Sequence, residues 1–271
     1  MHLQGRDAWL ALFVIPAGEQ FLMLVREVTR EVRLEQMRKD FVANASHELR
    51  SPLTVVSGYL DELADDDDLG REWHEPLADM RRQAQRMRDI VEDLLELSRL
   101  EASADEAPTG PVDVPGLVAQ LVLEAKSSAG AGPRFDLDLD EGCLLRGSES
   151  EVHSIASNLI SNAVKYTPET GCVSIRWGRE PGGASLVVCD TGIGIALEHL
   201  PRLTERFYRA DRARARAQGG SGLGLSIVKH GLQRHGGRLE ISSHEGRGST
   251  FTAHFPARRV LTRSRTVTKV S

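Results

Sequence analysis

Ser46-His47-Glu48-Leu49, followed by Arg50-Ser51-Pro52-Leu53, sets an imidazole beside a carboxylate inside a helical pattern. A neutral imidazole is nucleophilic near pH 7 and an adjacent carboxylate can take its other proton, so the pair reads as a nucleophile with its base. Exposure follows from periodicity. Val42, Ala45, Leu49, Pro52, Val56, Tyr59 and Leu63 step by alternating threes and fours, the seam of a coiled-coil-like helix, and with Val42 and Leu49 at a positions His47 falls at f, away from partner helices. Pro52 frees the carbonyl of Glu48, which predicts a kink beside the histidine. A single histidine on such a face is ordinarily only solvated. The rest of the chain gives it a partner chemistry.

Asn158 and Asn162 lie four apart with Lys165 a turn further on, so two neutral oxygen ligands and a cation converge on one helical face. Hard oxygens with a lysine suit magnesium and phosphates. Asp190-Thr191-Gly192-Ile193-Gly194-Ile195 reads as a strand ending in a carboxylate, then two glycines that admit a ligand close to the backbone. A buried aspartate there accepts from an adenine amino group and repels a guanine carbonyl, a basis for choosing ATP. Gly219-Gly220-Ser221-Gly222-Leu223-Gly224-Leu225 opens a helix whose amides can hold phosphate oxygens. Between these, Ala196 to Gln218 carries Arg202, Arg206, Arg209, Arg212, Arg214 and Arg216 with no apolar period after Phe207-Tyr208, the pattern of a mobile lid. A Glu245-Gly246-Arg247-Gly248 turn closes the series.

The elements that must carry these residues can be read in outline. Residues 8–15 and 20–25 read as two strands around a Pro16-Ala17-Gly18 turn. A charged helix leads into the histidine helix. After the acidic run Asp65–Asp68, Leu77, Met80, Ala84, Met87, Val91, Leu94 and Ser98 repeat the seam and predict a second helix over about 72–101. One helical hairpin cannot close its own seam; two related by a twofold axis make a four-helix bundle, which predicts a homodimer. Residues 105–111 are a Pro- and Gly-containing linker. Beyond it, helices at 115–127, 149–166 and 223–235 interleave with strands at 135–139, 171–178, 184–190, 238–243 and 249–255, an α+β layered sandwich. Residues 258–271 read as a mobile basic tail.

Composition narrows the function classes. The 271 residues suffice for two modules, and a formal charge of −5 offers no basic field for nucleic acid. Cys143, Cys172 and Cys189 lack metal-ligand spacing and read as reduced thiols. The apolar stretch Ala8–Ile15 is far short of the roughly 20 residues of a membrane helix, so the chain as given reads as cytoplasmic.

Over residues 28–256 the chain resembles the sensor histidine kinases of two-component systems. Its H box is Ser46–Leu53, its N box Asn158–Thr167, its G1 box Asp190–Ile195, its F region Arg206–Arg209 and its G2 box Gly220–Leu225. The wording of 34–44 and 201–209 is similar to the PhoR-like, phosphate-regulon branch. The resemblance implies a dimerisation and phosphoacceptor hairpin at 29–104, and an ATP-binding α/β sandwich of the histidine kinase/Hsp90-type fold at 112–257. It also implies roles. His47 attacks the γ-phosphate of ATP, Glu48 accepts the imidazole proton, and Ser51, where many members have threonine, serves dephosphorylation of the regulator. Asn158 and Asn162 hold Mg2+; Lys165, Tyr166, Gly192, Gly194, Arg209, Gly220, Gly222, Leu223 and Gly224 contact nucleotide; Asp190 anchors adenine. The implied partner is a response-regulator receiver domain of the PhoB-like kind. Residues 1–28 resemble the last strands of a PAS-like sensor domain, and family members are anchored at the inner face of the bacterial plasma membrane, here only through an upstream region missing from the chain. A kinase-inactive regulator phosphatase and an ATP-gated dimer module are the rival readings.

Overall fold

The computed structural model describes residues 2–3, 8–18, 20–30, 49, 53–61, 63–64, 70, 73–102, 110–129, 132–210 and 221–263. His47, Glu48, Ser51 and Gly220 therefore lie outside the described residues. Strands β1 (His2–Leu3), β2 (Ala8–Ala17) and β3 (Gln20–Glu27) form a three-stranded antiparallel sheet. Pro16 sits within β2 opposite Phe21, so the chain reverses at Gly18 (φ 66°) rather than over Pro16-Ala17-Gly18. The β3 side chains are exposed throughout, Phe21 to 75%.

Helix α1 (residues 53–61) pairs with the 29-residue helix α2 (His74–Ala102). Leu60, Leu77 and Ala84 form a small buried cluster, and Arg81 Nε lies 3.0 Å from Asp61 Oδ1. The predicted seam of α2 divides. Leu77, Ala84 and Val91 are buried, whereas Met80 and Met87, also on that seam, are 43% and 46% exposed. Its last turns instead bury Leu97 and Leu100, with Leu94 packed beside them, against Leu223 and Ile227. Periodicity on one helix cannot say which neighbour receives which part of its stripe. Among the described residues no helix is long and apolar enough to cross a membrane.

The second module stands on a five-stranded sheet. Its order is β5 (Arg134–Leu139), β7 (Cys172–Glu180), β8 (Gly183–Asp190), β10 (Gly248–Pro256), β9 (Arg238–His244), with only the β5–β7 pair parallel. Burial alternates along β8 and β10, as expected when one face carries the core. Helices α3 (Val114–Ala129), α4 (Glu149–Tyr166) and α5 (Gly224–Arg234) meet that face: Val118, Val122, Ile155, Leu159, Val228 and Leu232 join Ile175, Trp177, Leu186, Val188 and Phe251 in one core.

A small sheet of order β11-β6-β4 closes the end of this core, built from β4 (Gly110–Val112), β6 (Cys143–Gly147) and β11 (Val260–Thr262). It corrects two expectations. Gly110 and Pro111 at the end of the expected linker belong to a strand, paired with Gly147 and Arg146, and residues 260–262 of the expected tail form a strand paired with Cys143–Leu145. Three-residue strands carry no measurable period, so only their partner reveals them. Trp177 anchors the small sheet to the large one by donating its indole N–H to the Cys143 carbonyl at 2.8 Å.

His235, fully buried at the end of α5, ties the same corner. Its Nδ1–H donates to the Gly231 carbonyl (2.8 Å), and its Nε2 accepts the Ser148 amide N–H (3.3 Å) ahead of α4. Both ring nitrogens are thus satisfied by the neutral δ tautomer. Burial lowers the His235 pKa from its ordinary 6.5, opposed by the Gly231 bond and the Glu151 charge. Because the unfolded ring binds its proton more readily, the stability contributed by His235 is present above about pH 6.5 and is lost as pH falls through and below that value. In thermal melts at pH 7.5, 6.5 and 5.5, the Tm advantage of the native chain over His235→Gln is expected to be largest at pH 7.5 and to shrink at pH 5.5.

Candidate functional site

Helix α4 is 18 residues long and has two faces. Val152, Ile155, Ala156, Leu159, Ile160 and Ala163 are buried in the core, which turns Asn158, Ser161, Asn162 and Lys165 together toward a cavity of about 450 Å³. The Asn158 amide N–H donates to the Ser154 carbonyl (3.0 Å), which orients the carboxamide. Its Oδ1 then abuts Gly224, where a Cβ would lie 2.3 Å away. Lys165 lies 5.3 Å from the centre of the Tyr166 ring. Burial, helped by the positive charges of Arg209 and Arg86, pulls its pKa down to about 8.

Asp190 ends β8 on the cavity wall and is only 5% exposed. Burial raises its pKa against the lowering effect of hydrogen bonds from the Gly192 and Ser249 backbone amides. Gly192 therefore supports Asp190, with its N–H 2.8 Å from Oδ1, rather than lining the cavity. The next residues are held on both sides: Ile193 N–H donates to the Tyr166 carbonyl (3.3 Å), and Gly246 N–H to the Ile193 carbonyl (2.7 Å). Gly194 lines the cavity at φ 68°, and a Cβ there would lie 2.0 Å from the His244 carbonyl oxygen, so backbone conformation and space both require glycine.

Part of the expected lid lies among the described residues. Leu197–Arg202 form a 3₁₀ helix; residues 211–220, with Arg212, Arg214 and Arg216, lie outside the described residues. Phe207 adopts φ 60°, a conformation costing a bulky residue about 1–3 kcal/mol, and its N–H donates to the Gly222 carbonyl (2.9 Å). Tyr208 lines the cavity, hydrogen-bonded through its hydroxyl to His199 Nδ1 (2.8 Å) and covered by the Arg202 guanidinium at 4.2 Å. Arg209 follows on the wall.

Gly222, at φ 75°, and Gly224 complete the wall at the start of α5, which sets that helix end against the asparagine face. Leu223 does not join them. It is fully buried against Leu97, Leu100 and Ile227, which corrects its assignment as a ligand contact. Sequence reasoning also missed contributors: Asp89 and Asp93 of α2, Ser161, Ser221, Ser249 and Phe251 line the same cavity. Ser161 shared the face of the asparagines and could have been found by spacing. Asp89 and Asp93 depend on how two modules meet and left no local signal.

The donors suit the groups expected here. Two carboxamides on one helix face offer hard neutral oxygen for magnesium, a lysine, an arginine and a helix N-terminus answer phosphate charge, and a buried carboxylate answers an exocyclic amine. Gly194→Ala is expected to lower the unfolding free energy by about 2 kcal/mol in urea titrations, because strain and overlap act together there.

Comparison with known proteins agrees with this geometry. Residues 37–103 match the His Kinase A (phospho-acceptor) domain, and residues 147–259 match the histidine kinase-, DNA gyrase B- and HSP90-like ATPase domain. The phosphate regulon sensor protein PhoR of Pseudomonas aeruginosa is 53% identical over 254 residues, 93% of this chain and 57% of its own length. PhoR of Haemophilus influenzae is 34% identical over 247 residues, 91% and 58% respectively. The chain thus spans under two thirds of these relatives. The crystal structure of full-length ShkA in complex with AMPPNP superposes with a TM-score of 0.67 at 29% identity, covering 83% of this chain and 46% of that one. With a phospho-acceptor hairpin, an ATPase-type sandwich and this level of identity, the chain belongs to the PhoR-like sensor histidine kinases.

Proposed function

We propose that this chain autophosphorylates His47 from ATP and passes the phosphoryl group to an aspartate on a response regulator, in phosphate-regulon signalling through a PhoB-like receiver domain. The observation that carries this reading is the convergence of the Asn158–Asn162–Lys165 face, the buried Asp190 carboxylate and the α5 N-terminus on one cavity. The names of the relatives and the AMPPNP bound by ShkA support it.

In this reading Asp190 accepts from the adenine amino group. Lys165, Arg209 and the α5 amides hold phosphate oxygens, with Tyr208 and the lid limiting access of water. Asn158 and Asn162 would hold a magnesium ion, which would supply positive charge against the phosphate oxygens. A ring nitrogen of His47 attacks the γ-phosphorus, the bond to the β,γ-bridging oxygen breaks, ADP leaves, and Glu48 takes the other imidazole proton. Positioning and charge neutralisation carry most of such a transfer, so the cavity residues matter as much as the nucleophile. We assign regulator dephosphorylation to Ser51, residues 1–28 to a PAS-like remnant, 29–104 to the phosphoacceptor hairpin and 112–257 to ATP binding. Exposed Met80 and Met87 on the α2 seam supply apolar surface for the homodimer.

Incubation of the full chain with γ-labelled ATP and magnesium is expected to give an acid-labile, alkali-stable label that is absent from His47→Ala and greatly reduced in Asp190→Asn. Label retained in His47→Ala would overturn the assignment, and ATP binding without label would favour a phosphatase or ATP-gated dimer. Lys165 adds a pH dependence. It is cationic below about pH 8 and neutral above, so ATP affinity should fall as pH rises through about 8. Calorimetric titration from pH 7 to 9 checks this, and the slope should vanish in Lys165→Met.

A further inference from the structure

The nucleotide cavity has a wall that belongs to the other module. Asp89 and Asp93, one turn apart on α2, line it, and Asp93 also lines the adjoining cleft of about 380 Å³ between α2 and α4. The Ser221 hydroxyl donates to Asp93 Oδ2 and accepts the Leu223 N–H at 3.0 Å, so one serine joins α2 to the first turn of α5 directly beside Gly222. Behind this polar contact Leu94, Leu97 and Leu100 pack on Leu223 and Ile227. Glu101 pairs with Arg206 of the lid and lies 3.3 Å from His230 Nε2.

We propose that the Asp93–Ser221 hydrogen bond is a latch holding α2 across the phosphate end of the cavity, so that docking of α2 and binding of ATP oppose one another. The proposal rests on the ATP reading above. A triphosphate held at Gly222 and Gly224 brings several negative charges against the Asp89 and Asp93 carboxylates, in a site where burial weakens screening. Burial already raises the Asp93 carboxyl; the Ser221 bond opposes this, and the Glu96, Asp89 and Glu92 charges add to the rise. Reciprocity then requires that whatever stabilises the docked helix weakens ATP binding by the same factor. With ATP bound, the carboxylates are repelled, Ser221 is released, and α2 leaves the lid and α5.

Two measurements on the full chain test this. Calorimetric titration with ATP and magnesium should show Asp93→Asn, which keeps size and an acceptor oxygen but removes the charge, binding ATP on the order of fivefold more tightly than the native chain. A gain in affinity is an outcome that structural damage does not produce. Hydrogen exchange over residues 89–101 should speed up on adding ATP to the native chain. Unchanged or weaker binding by Asp93→Asn, or exchange slowed by ATP, overturns the latch. Asp190→Asn in the same titrations separates the two readings: it loses ATP affinity if adenine is bound as proposed, whatever α2 does. Absence of ATP binding in every chain removes the ATP reading and the latch with it.

Discussion

Burial of one stripe of α4 is the constraint from which the site follows. Ile155, Leu159 and Ala163 must meet the sheet, and a helix that satisfies them has no freedom left to choose where Asn158, Asn162 and Lys165 point. The sheet supplies the complement. Its central strand β8 ends at Asp190, and the pairing of β8 with β7 and β10 places that carboxylate against the same cavity. Apolar packing that carries no chemistry of its own therefore sets the geometry on which the chemistry depends.

The same burial prepares the electrostatics. Asp190 is pushed up and Lys165 pushed down to about 8, each mainly by desolvation, so burial opposes both charged forms. A ligand that offers an amino group to one and phosphate oxygens to the other relieves both. The lid contains a comparable investment: Phe207 is held at a positive φ by its hydrogen bond to Gly222, and Tyr208 is fixed by His199 and Arg202.

Helix α2 has two allegiances. Its first half shares Leu77 and Ala84 with α1, and its last turns share Leu97 and Leu100 with α5. The Lys165 titration also registers α2, since the charge of Arg86 contributes to lowering it. The two modules thus meet through a patch of packed aliphatic side chains beside the acidic pair Asp89 and Asp93.

Much of the candidate site was legible in the sequence because its residues follow local spacing. Asn158, Asn162 and Lys165 lie within one helix, Asp190 ends a strand and begins a glycine turn, and the glycines at 222 and 224 open a helix, so periods of 3.6 and 2 suffice to place them. Helix α4 follows its predicted bounds for the same reason. What the tertiary structure decided has no local period. The strands β4, β6 and β11 exist only through one another, Leu223 faces α2 because the leucines of α2 are there to receive it, and Asp89 and Asp93 reach the cavity only because α2 docks on α5. Side-chain type and spacing specify what an element can do, whereas the partner that an apolar face finds is settled by long-range packing, and that choice determines which residues become neighbours.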